Sequence, residues 1–522
     1  DYGAGGIDLW VCEYSCEGEL ISNGQIAYGS AVDDPYLFLF NDVHLNQSWD
    51  LTDTSGEASV LWVSGFYVPD PSDPSDRRGI VGRIDRDAGT SWVRSGSLGL
   101  TTLLTSRSFN GGSLSSGTHF TGSANEGYLV QLDTTGDVQW EVSTYDAYDI
   151  FVLSGRLRLA DDRILFTGYA DDSSSDRSAI AIAVGPSGPE WAISLADNGD
   201  TSFAGAVQLP GGDIVAYGSV ETTAGDPSSG LFVRMSTSGT VSVERAYGDG
   251  VNDFEIKQLA LMSDGSITVR ATVGSADAWV AKLNQGGIVQ WQKDLTTDSL
   301  LGGSFEILVP AETESYTTDD VLVFGRKLDF GPGPLNADVI GVVIASTGTV
   351  TSALEWTNTT GLLGSPPLYT DPGTGAFYLF ADITHPSGAG GEDALLVRYD
   401  DDLAVDWMNL YGGANDDSIS YLDFNADGEI LVSGLTTSFG SFQVDPFLLG
   451  LGLDGETTKS GWVHDVTPGT FAGIASGTSS TITLTMDEDT IDFITVDLLE
   501  TPVFVENTAS HTISSPTATL ID

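Results

Sequence analysis

The sequence predicts an all-β protein: a single large β-propeller of about nine four-stranded blades, with seven or eight as the alternative count. Three observations predict it. A unit of Asp, apolar run, Gly-containing turn and Trp recurs nine times along the 522 residues. Between its copies lie short alternating strands at a spacing of roughly 50 residues, the mark of a radial or stacked β array. Gly, Ser, Thr and Asp are abundant while Lys, Glu and Met are scarce, a composition suited to short strands joined by many turns.

The clearest copy of the unit runs from Asp277 to Trp291, as Asp277-Ala-Trp-Val-Ala-Lys-Leu-Asn-Gln-Gly-Gly-Ile-Val-Gln-Trp291. Gly127 to Trp140 and Asp393 to Trp407 are two more, and others start near Ile7, Gly79, Ser178, Gly230, Asp338 and Asp445. Taking the Trp-bearing segment as the first strand, the best unit reads as strands over 288–295, 305–309, 321–325 and 339–345. The third of these carries its own signature of apolar alternation ending in Gly, as in Arg163 to Gly168, Asp213 to Gly218 and Glu429 to Gly434. Asp-Gly turns at Asp264-Gly265 and Asp427-Gly428 fit tight hairpins. Trp92, Trp140, Trp191, Trp291, Trp356 and Trp407 recur at one position, and each is expected to pack between neighbouring blades.

The ends are out of phase with this repeat. Residues 8–14 read as a fourth-type strand, and residues 461–465, 471–475 and 481–485 read as strands one to three of a last unit. Joining them closes the ring and removes a sheet edge. The propeller is thus expected over 1–486. Residues 487–522 form a β-rich tail holding an apolar segment at 490–498, and either that segment or 8–14 is a strand that a neighbouring copy would receive. Polar insertions are expected at 42–57, 66–78 and 326–336.

The unit resembles that of the secreted β-propeller repeat proteins of bacteria and archaea, whose pattern is D-x-x-V-x-K-x-D-x-x-G-x-x-x-W followed by G-x-I-x-x-x-G. The resemblance covers roughly residues 6–485 and implies architecture more than activity, because such folds host many functions. Val243 stands where Trp is expected, and the Lys of the pattern is kept as Lys at Lys282.

A formal net charge of −54 excludes nucleic acid as a partner and disfavours anionic membrane surfaces. No apolar stretch is long enough for a membrane-spanning helix. Cys12 and Cys16 are the two cysteines, four residues apart, and either form a local disulfide or stay as thiols. Such sparing use of cysteine, with a first residue Asp1 in place of Met, suggests a secreted or cell-surface protein whose signal peptide has been removed.

No catalytic signature is present. The histidines His44, His119, His385, His464 and His511 are scattered, and no G-x-S-x-G elbow occurs. Paired carboxylates such as Asp161-Asp162, Asp171-Asp172, Asp319-Asp320 and Asp416-Asp417 are expected in so acidic a chain. Calcium is the one small ligand the composition suggests, through Asp70, Asp73 and Asp76 in one loop, or Asp487, Glu488, Asp489 and Asp492 where the tail begins. Asp400, Asp401 and Asp402 form a third acidic turn. The expected function is a non-catalytic extracellular structural or interaction protein that self-associates through its terminal strands as a surface or filament subunit. The alternatives are a glycan- or protein-binding propeller, with Tyr67, Phe109, Tyr316 and Phe442 as exposed aromatics, and a carboxylate-based polysaccharide lyase or hydrolase.

Overall fold

A computed structural model of the chain describes residues 9–14, 20–28, 60–67, 78–85, 90–95, 101–109, 112–120, 125–143, 150–171, 177–196, 199–221, 223–248, 250–274, 277–295, 305–308, 319–329, 336–356, 362–363, 368–370, 376–383, 392–399, 405–412, 414–424, 430–438, 445–455, 457–461, 479–481, 492–494, 499–501 and 518–520. Every regular element among them is a strand, and no helix is present that could cross a membrane. The strands form nine antiparallel sheets in the described residues, most with a core of four strands in chain order.

The sheet of residues 150–196 shows how sequence makes the element. Its strands Ile150–Arg158, Ile164–Asp171, Arg177–Gly185 and Gly188–Ala196 follow one another as hairpins. The third strand, Arg-Ser-Ala-Ile-Ala-Ile-Ala-Val-Gly, is apolar on both faces because both are buried. One face, with Ala181 and Ala183, joins Leu231, Val233 and Met235 of the following sheet. The other, with Ile180 and Ile182, joins Leu114 and Leu129 of the preceding one. This sheet therefore stacks face to face with both neighbours and closes a core on either side of itself.

The chain divides into two compact units, one built mainly on residues 21–246 and the other on 247–492. Within the second, Val280 packs with Val321, Val323, Val342 and Ile344, and Tyr378, Phe380 and Leu396 pack with Leu422, Val432 and Leu449. Sheet-on-sheet packing is thus the rule in both units.

The strand phase differs from the sequence reading. Val289–Leu295, with Trp291, pairs with Asp277–Leu283 across the four-residue turn Asn284 to Gly287. The Trp strand is therefore the fourth of its own sheet, not the first of the next. The reason is local. Asn284 Oδ1 accepts from Gly286 N at 2.9 Å and Ile288 N at 3.0 Å, and Gly287 sits at φ 72°, which makes a tight hairpin with a one-residue bulge. First strands carry a second bulge, at Leu153/Gly155, Phe203/Gly205 and Ile419/Tyr421, opposite the signature glycines Gly168, Gly218 and Gly434.

Leu9–Tyr14 pairs with Leu20–Tyr28, and Thr457–Gly461 gives the last repeat sheet a fourth strand of its own. Residues 462–478 and 482–485, which hold most of the strands expected to meet the N-terminal strand, lie outside the described residues. So do the insertions at 42–57 and 330–335 and most of 66–78. The C-terminal strands attach to the outer edges of fourth strands and, in one sheet, of Leu20–Tyr28. Ser479–Thr481 pairs with Leu354 to Trp356, Leu499–Thr501 with Ser194 to Ala196, and Ala518–Leu520 with Ile26 to Tyr28. Asp492–Ile494 is likewise a fifth strand, on the sheet ending in Val241–Gly248.

Candidate functional site

Each sheet has two ends. At the turn end lie the short hairpins between strands one and two and between strands three and four. At the open end, strands one and three begin and strands two and four finish.

The turn end is where the repeated Trp acts. Trp191 Nε1 donates to the Thr237 carbonyl at 2.9 Å, Trp291 Nε1 to Ser346 at 3.0 Å, and Trp407 Nε1 to Leu453 at 2.7 Å. Each acceptor lies in the hairpin of the following sheet. In the same three hairpins Gly239, Gly348 and Gly455 lie against the indole ring, at φ 81°, 85° and 76°. A Cβ on Gly348 would come 2.7 Å from Trp291 Cγ, so Gly is required by both space and backbone conformation. The Gly and the Trp of the repeat are thus two halves of one contact between consecutive sheets. Trp140 meets a shorter hairpin, and its Nε1 donates to Gln131 Oε1 of its own sheet at 2.5 Å. Where Val243 replaces Trp, the Tyr247 hydroxyl donates to the Gly287 carbonyl at 2.6 Å, and Tyr411 makes the equivalent bond to Gly455 at 2.7 Å.

Three ion pairs recur at the turn end. Lys282 Nζ pairs with Asp264 at 2.7 Å, Arg234 with Asp213 at 2.7 Å, and Arg398 with Asp406. Lys282, Arg234 and Arg398 occupy one register position, each opposite the second residue of its sheet's second strand. The cation of the repeat is therefore kept as Arg in two copies, which a search for Lys alone misses. Burial raises the Asp264 carboxyl, but the hydrogen bonds from Lys282 and Ser266 outweigh it and bring the pKa down to about 2. Asp319 and Asp320, read as an ordinary acidic pair, are buried and structural. Asp319 accepts from the Ser263 amide and, at 3.0 Å, from the Ser263 hydroxyl, so it clips the hairpin of the preceding sheet.

The open end is different. A repeated bond runs from the residue after strand two to the carbonyl just before strand one: Glu221 to Asp200 at 2.7 Å, Gly274 to Asp253 at 2.7 Å and Thr437 to Asp416 at 2.8 Å. In the sheets of residues 377–411 and 417–461 this end gathers carboxylates. Asp393 is 1% exposed and Asp417 3%. Both converge on Gly412, where an added Cβ would overlap the Asp393 carboxylate and lie 3.0 Å from Asp417 Oδ2. Asp417 Oδ2 also accepts from the Ser438 hydroxyl at 2.6 Å, and Asp416 Oδ1 accepts from the Glu392 amide at 3.0 Å. Asp382 lies at the same end of its sheet, opposite Ala394. Burial pushes its carboxyl up, the Ile419 amide opposes this, and the charge on Glu392 adds to it, giving a pKa of about 6. Such a group is half protonated in mildly acidic water, the property of a general acid.

The sites expected from sequence fare unevenly. Asp70, Asp73, Asp76, Asp487, Glu488, Asp489, Asp400, Asp401, Asp402, Cys16, Tyr316 and Phe442 lie outside the described residues. Asp492 opens the strand Asp492–Ile494, Cys12 lies in Leu9–Tyr14, and Tyr67 ends Val60–Tyr67. Phe109 is 6% exposed and belongs to the core with Leu114 and Phe166, so it offers no ring to a glycan. Among the described residues, no group of three or more His, Cys, Asp or Glu side chains is arranged to hold a metal ion. The convergence of Asp393 and Asp417 on Gly412 was not read from sequence. Its one visible signal is that Asp393 opens a third strand and Asp417 a first strand.

No family model matches the chain, and no curated protein does. Among solved structures the chain is similar to a puromycin hydrolase at 14% identity and a TM-score of 0.34, with 72% of this chain and 57% of that one covered. It is similar to Sqt1 from Chaetomium thermophilum at 12% identity and a TM-score of 0.36, covering 76% of this chain and 94% of the other. A polysaccharide lyase, an ulvan lyase, gives 11% identity and a TM-score of 0.30 over 64% of this chain and 87% of that one. The chain thus spans 57% of the length of the puromycin hydrolase structure. Likenesses this distant assign neither an activity nor a substrate.

Proposed function

We propose that the chain is a non-catalytic structural or interaction protein that works outside the cell and self-associates through its terminal strands. In this reading the successive sheets are the blades of one β-propeller, closed at the N-terminal strand. The observation that carries it is the repeated use of one edge. Two fourth strands and the strand Leu20–Tyr28 each receive a strand of the C-terminal segment on their last three residues. An edge that takes strands from its own chain has the backbone groups to take one from another copy. Copies carrying −54 repel one another unless cations screen or bridge them, so assembly requires salt or calcium. The acidic residues Asp487, Glu488, Asp489 and Asp492 at the start of the tail are the bridging ligands, with Asp70, Asp73 and Asp76 as a second calcium loop.

The test is particle size by light scattering and negative-stain imaging, at low and molar salt, with calcium or with chelator. The full chain is expected to form filaments or oligomers at high salt or with calcium, and a chain ending at residue 486 to stay folded and monomeric. A full-length monomer under every condition overturns the reading.

One observation favours a second reading, a carboxylate-based hydrolase or lyase. Asp382 has a pKa of about 6 and lies at the same end of its sheet as the buried Asp393. Turnover of any member of a polysaccharide panel that vanishes in Asp382→Asn would support it, and no turnover from pH 4 to 8 removes it.

A further inference from the structure

The strands of the C-terminal segment are additions to sheets that are complete without them. The sheets of residues 101–143 and 254–295 consist of four strands in chain order, with no fifth among the described residues. The sheets of residues 150–196 and 201–248 have the same four, and Leu499–Thr501 and Asp492–Ile494 are laid on their last edges. Ala518–Leu520 is laid in the same way on Leu20–Tyr28. The ladders of Leu499–Thr501 and Ala518–Leu520 hold three residue pairs each, against eight between Ile164–Asp171 and Arg177–Gly185. Short ladders at a sheet edge open readily without disturbing the core.

A strand laid on a finished sheet by so short a ladder is one that copies can exchange. Residues 493–522 belong as a group to the compact unit of residues 21–246, whereas Ser479–Thr481 belongs to the other unit and pairs there with Val350–Trp356. Residues 482–491 tether the group, and an extended chain of that length reaches about 35 Å. We infer that copies of this chain associate by exchanging residues 493–522. Leu499–Thr501 of one copy takes, on the second, the place on Ser194 to Ala196 that it holds in its own chain, and Ala518–Leu520 takes Ile26 to Tyr28. This rests on the self-association reading and names its contact.

The exchange requires no vacant edge. Every ladder given up within one chain is remade between two in the same register, with Leu499 opposite Ala196, Glu500 opposite Leu195 and Thr501 opposite Ser194. Glu500 has no carboxylate directly across from it, and Thr opposite Ser is a favourable cross-strand pair. The acceptor is therefore specified by the pairing that the single chain already makes. Because the ladders cancel, the tether and the charge set the balance. A tethered strand competes at an effective concentration on the order of millimolar, so dilute chains keep their own segment. Crowding favours exchange, and copies of charge −54 crowd only where cations screen them. Salt thus acts on the approach of the copies, and the ladders are the same before and after.

Disulfide trapping on the full chain tests this, with Cys12→Ser and Cys16→Ser in every sample. Directly opposed residues of an antiparallel pair lie about 4.5–5.5 Å apart at Cα, a separation that suits a disulfide. Ser194→Cys and Thr501→Cys in one chain, oxidised in dilute protein at low salt, are expected to close within that chain. The locked chain should then stay monomeric in molar salt at concentrations where the parent forms particles, and reduction should restore growth. The same two substitutions placed in separate chains, mixed and oxidised in molar salt, should give a covalent heterodimer. Ala27→Cys with Thr519→Cys, directly opposite in the other ladder, repeats the test if the first pair fails to fold. Particles that grow from locked chains, or assembly of mixed chains without heterodimer, would overturn the exchange and leave self-association standing. Neither particles nor heterodimer at any salt removes both. A heterodimer without larger particles sustains the exchange and limits self-association to dimers. Failure of the double variant to close in dilute protein overturns the exchange at its start, because the pairing to be exchanged is then not populated.

Discussion

The two ends of a sheet show how one repeat divides its work. At the turn end, chain economy is extreme: four residues reverse the strand, a Gly lies on the indole of the preceding sheet, and Asp213, Asp264 and Asp406 each have a Lys or Arg. At the open end of residues 377–438, carboxylates are buried beside one another and the backbone carries the repeated contact. Two aspartates mark the contrast. Asp264 is drawn down to about 2 by its partners, and Asp382 is driven up to about 6 by burial. The turn end joins consecutive sheets, and the open end holds carboxylates out of water.

Removing the turn-end contact should have the largest effect. Trp291→Ala is expected to lose about 3 kcal/mol, from lost packing against Gly348 and a cavity between sheets. Denaturant unfolding measures it, and a loss no greater than that of an exposed Trp would mean that the indole is dispensable. At the open end, Gly412→Ala should cost about 2 kcal/mol by forcing two buried carboxylates apart. If its melting temperature matches the wild type, Asp393 has room to move and the gathering is loose.

The third prediction is a pH dependence, with opposite signs at the two ends. The folded pKa of Asp382 lies above its ordinary 3.8, so the folded state binds the proton more tightly, and stability rises as pH falls from about 6 towards 4. Asp264 is depressed, so its contribution is present above about 4 and is lost as pH falls towards 2. Asp382→Asn should therefore stabilise the protein at pH 7 by on the order of 1 kcal/mol and erase the gain between pH 6 and 4. Equal stabilities of variant and wild type at both pH values would show that solvent reaches Asp382.

The smallest effect separates two aspartates with the same backbone. Asp162 and Asp319 both occupy positive φ, at 68° and 75°. Asp162 is exposed and forms a surface pair with Arg158, so Asp162→Gly should gain a few tenths of a kcal/mol. Asp319→Gly should lose about 1 kcal/mol, because it releases Ser263. Equal effects would mean that backbone strain alone decides both.

Much of this was legible in the chain. Strand content, the hairpins and the role of the Trp followed from the spacing of Gly and Trp, since both belong to one contact. The strand phase did not, because a repeat has no origin and the short Gly turn decides which strands are neighbours. Phe109 was read as exposed because a loop-like sequence surrounds it, while its ring enters a core between two sheets. The cations were undercounted because register, not residue type, makes Arg234, Lys282 and Arg398 equivalent. Asp393 and Asp417 meet through packing of two sheets, and a linear pattern contains no such term.

The forward reach of three tryptophans, from Trp191 to Thr237, Trp291 to Ser346 and Trp407 to Leu453, also constrains how such a gene can grow. Copying or losing a whole repeat leaves every indole facing a hairpin, whatever the point of the cut. Copying a fraction leaves one indole roofless and one hairpin bare. Recombination in this chain therefore has a quantum, set by a single hydrogen bond between neighbours.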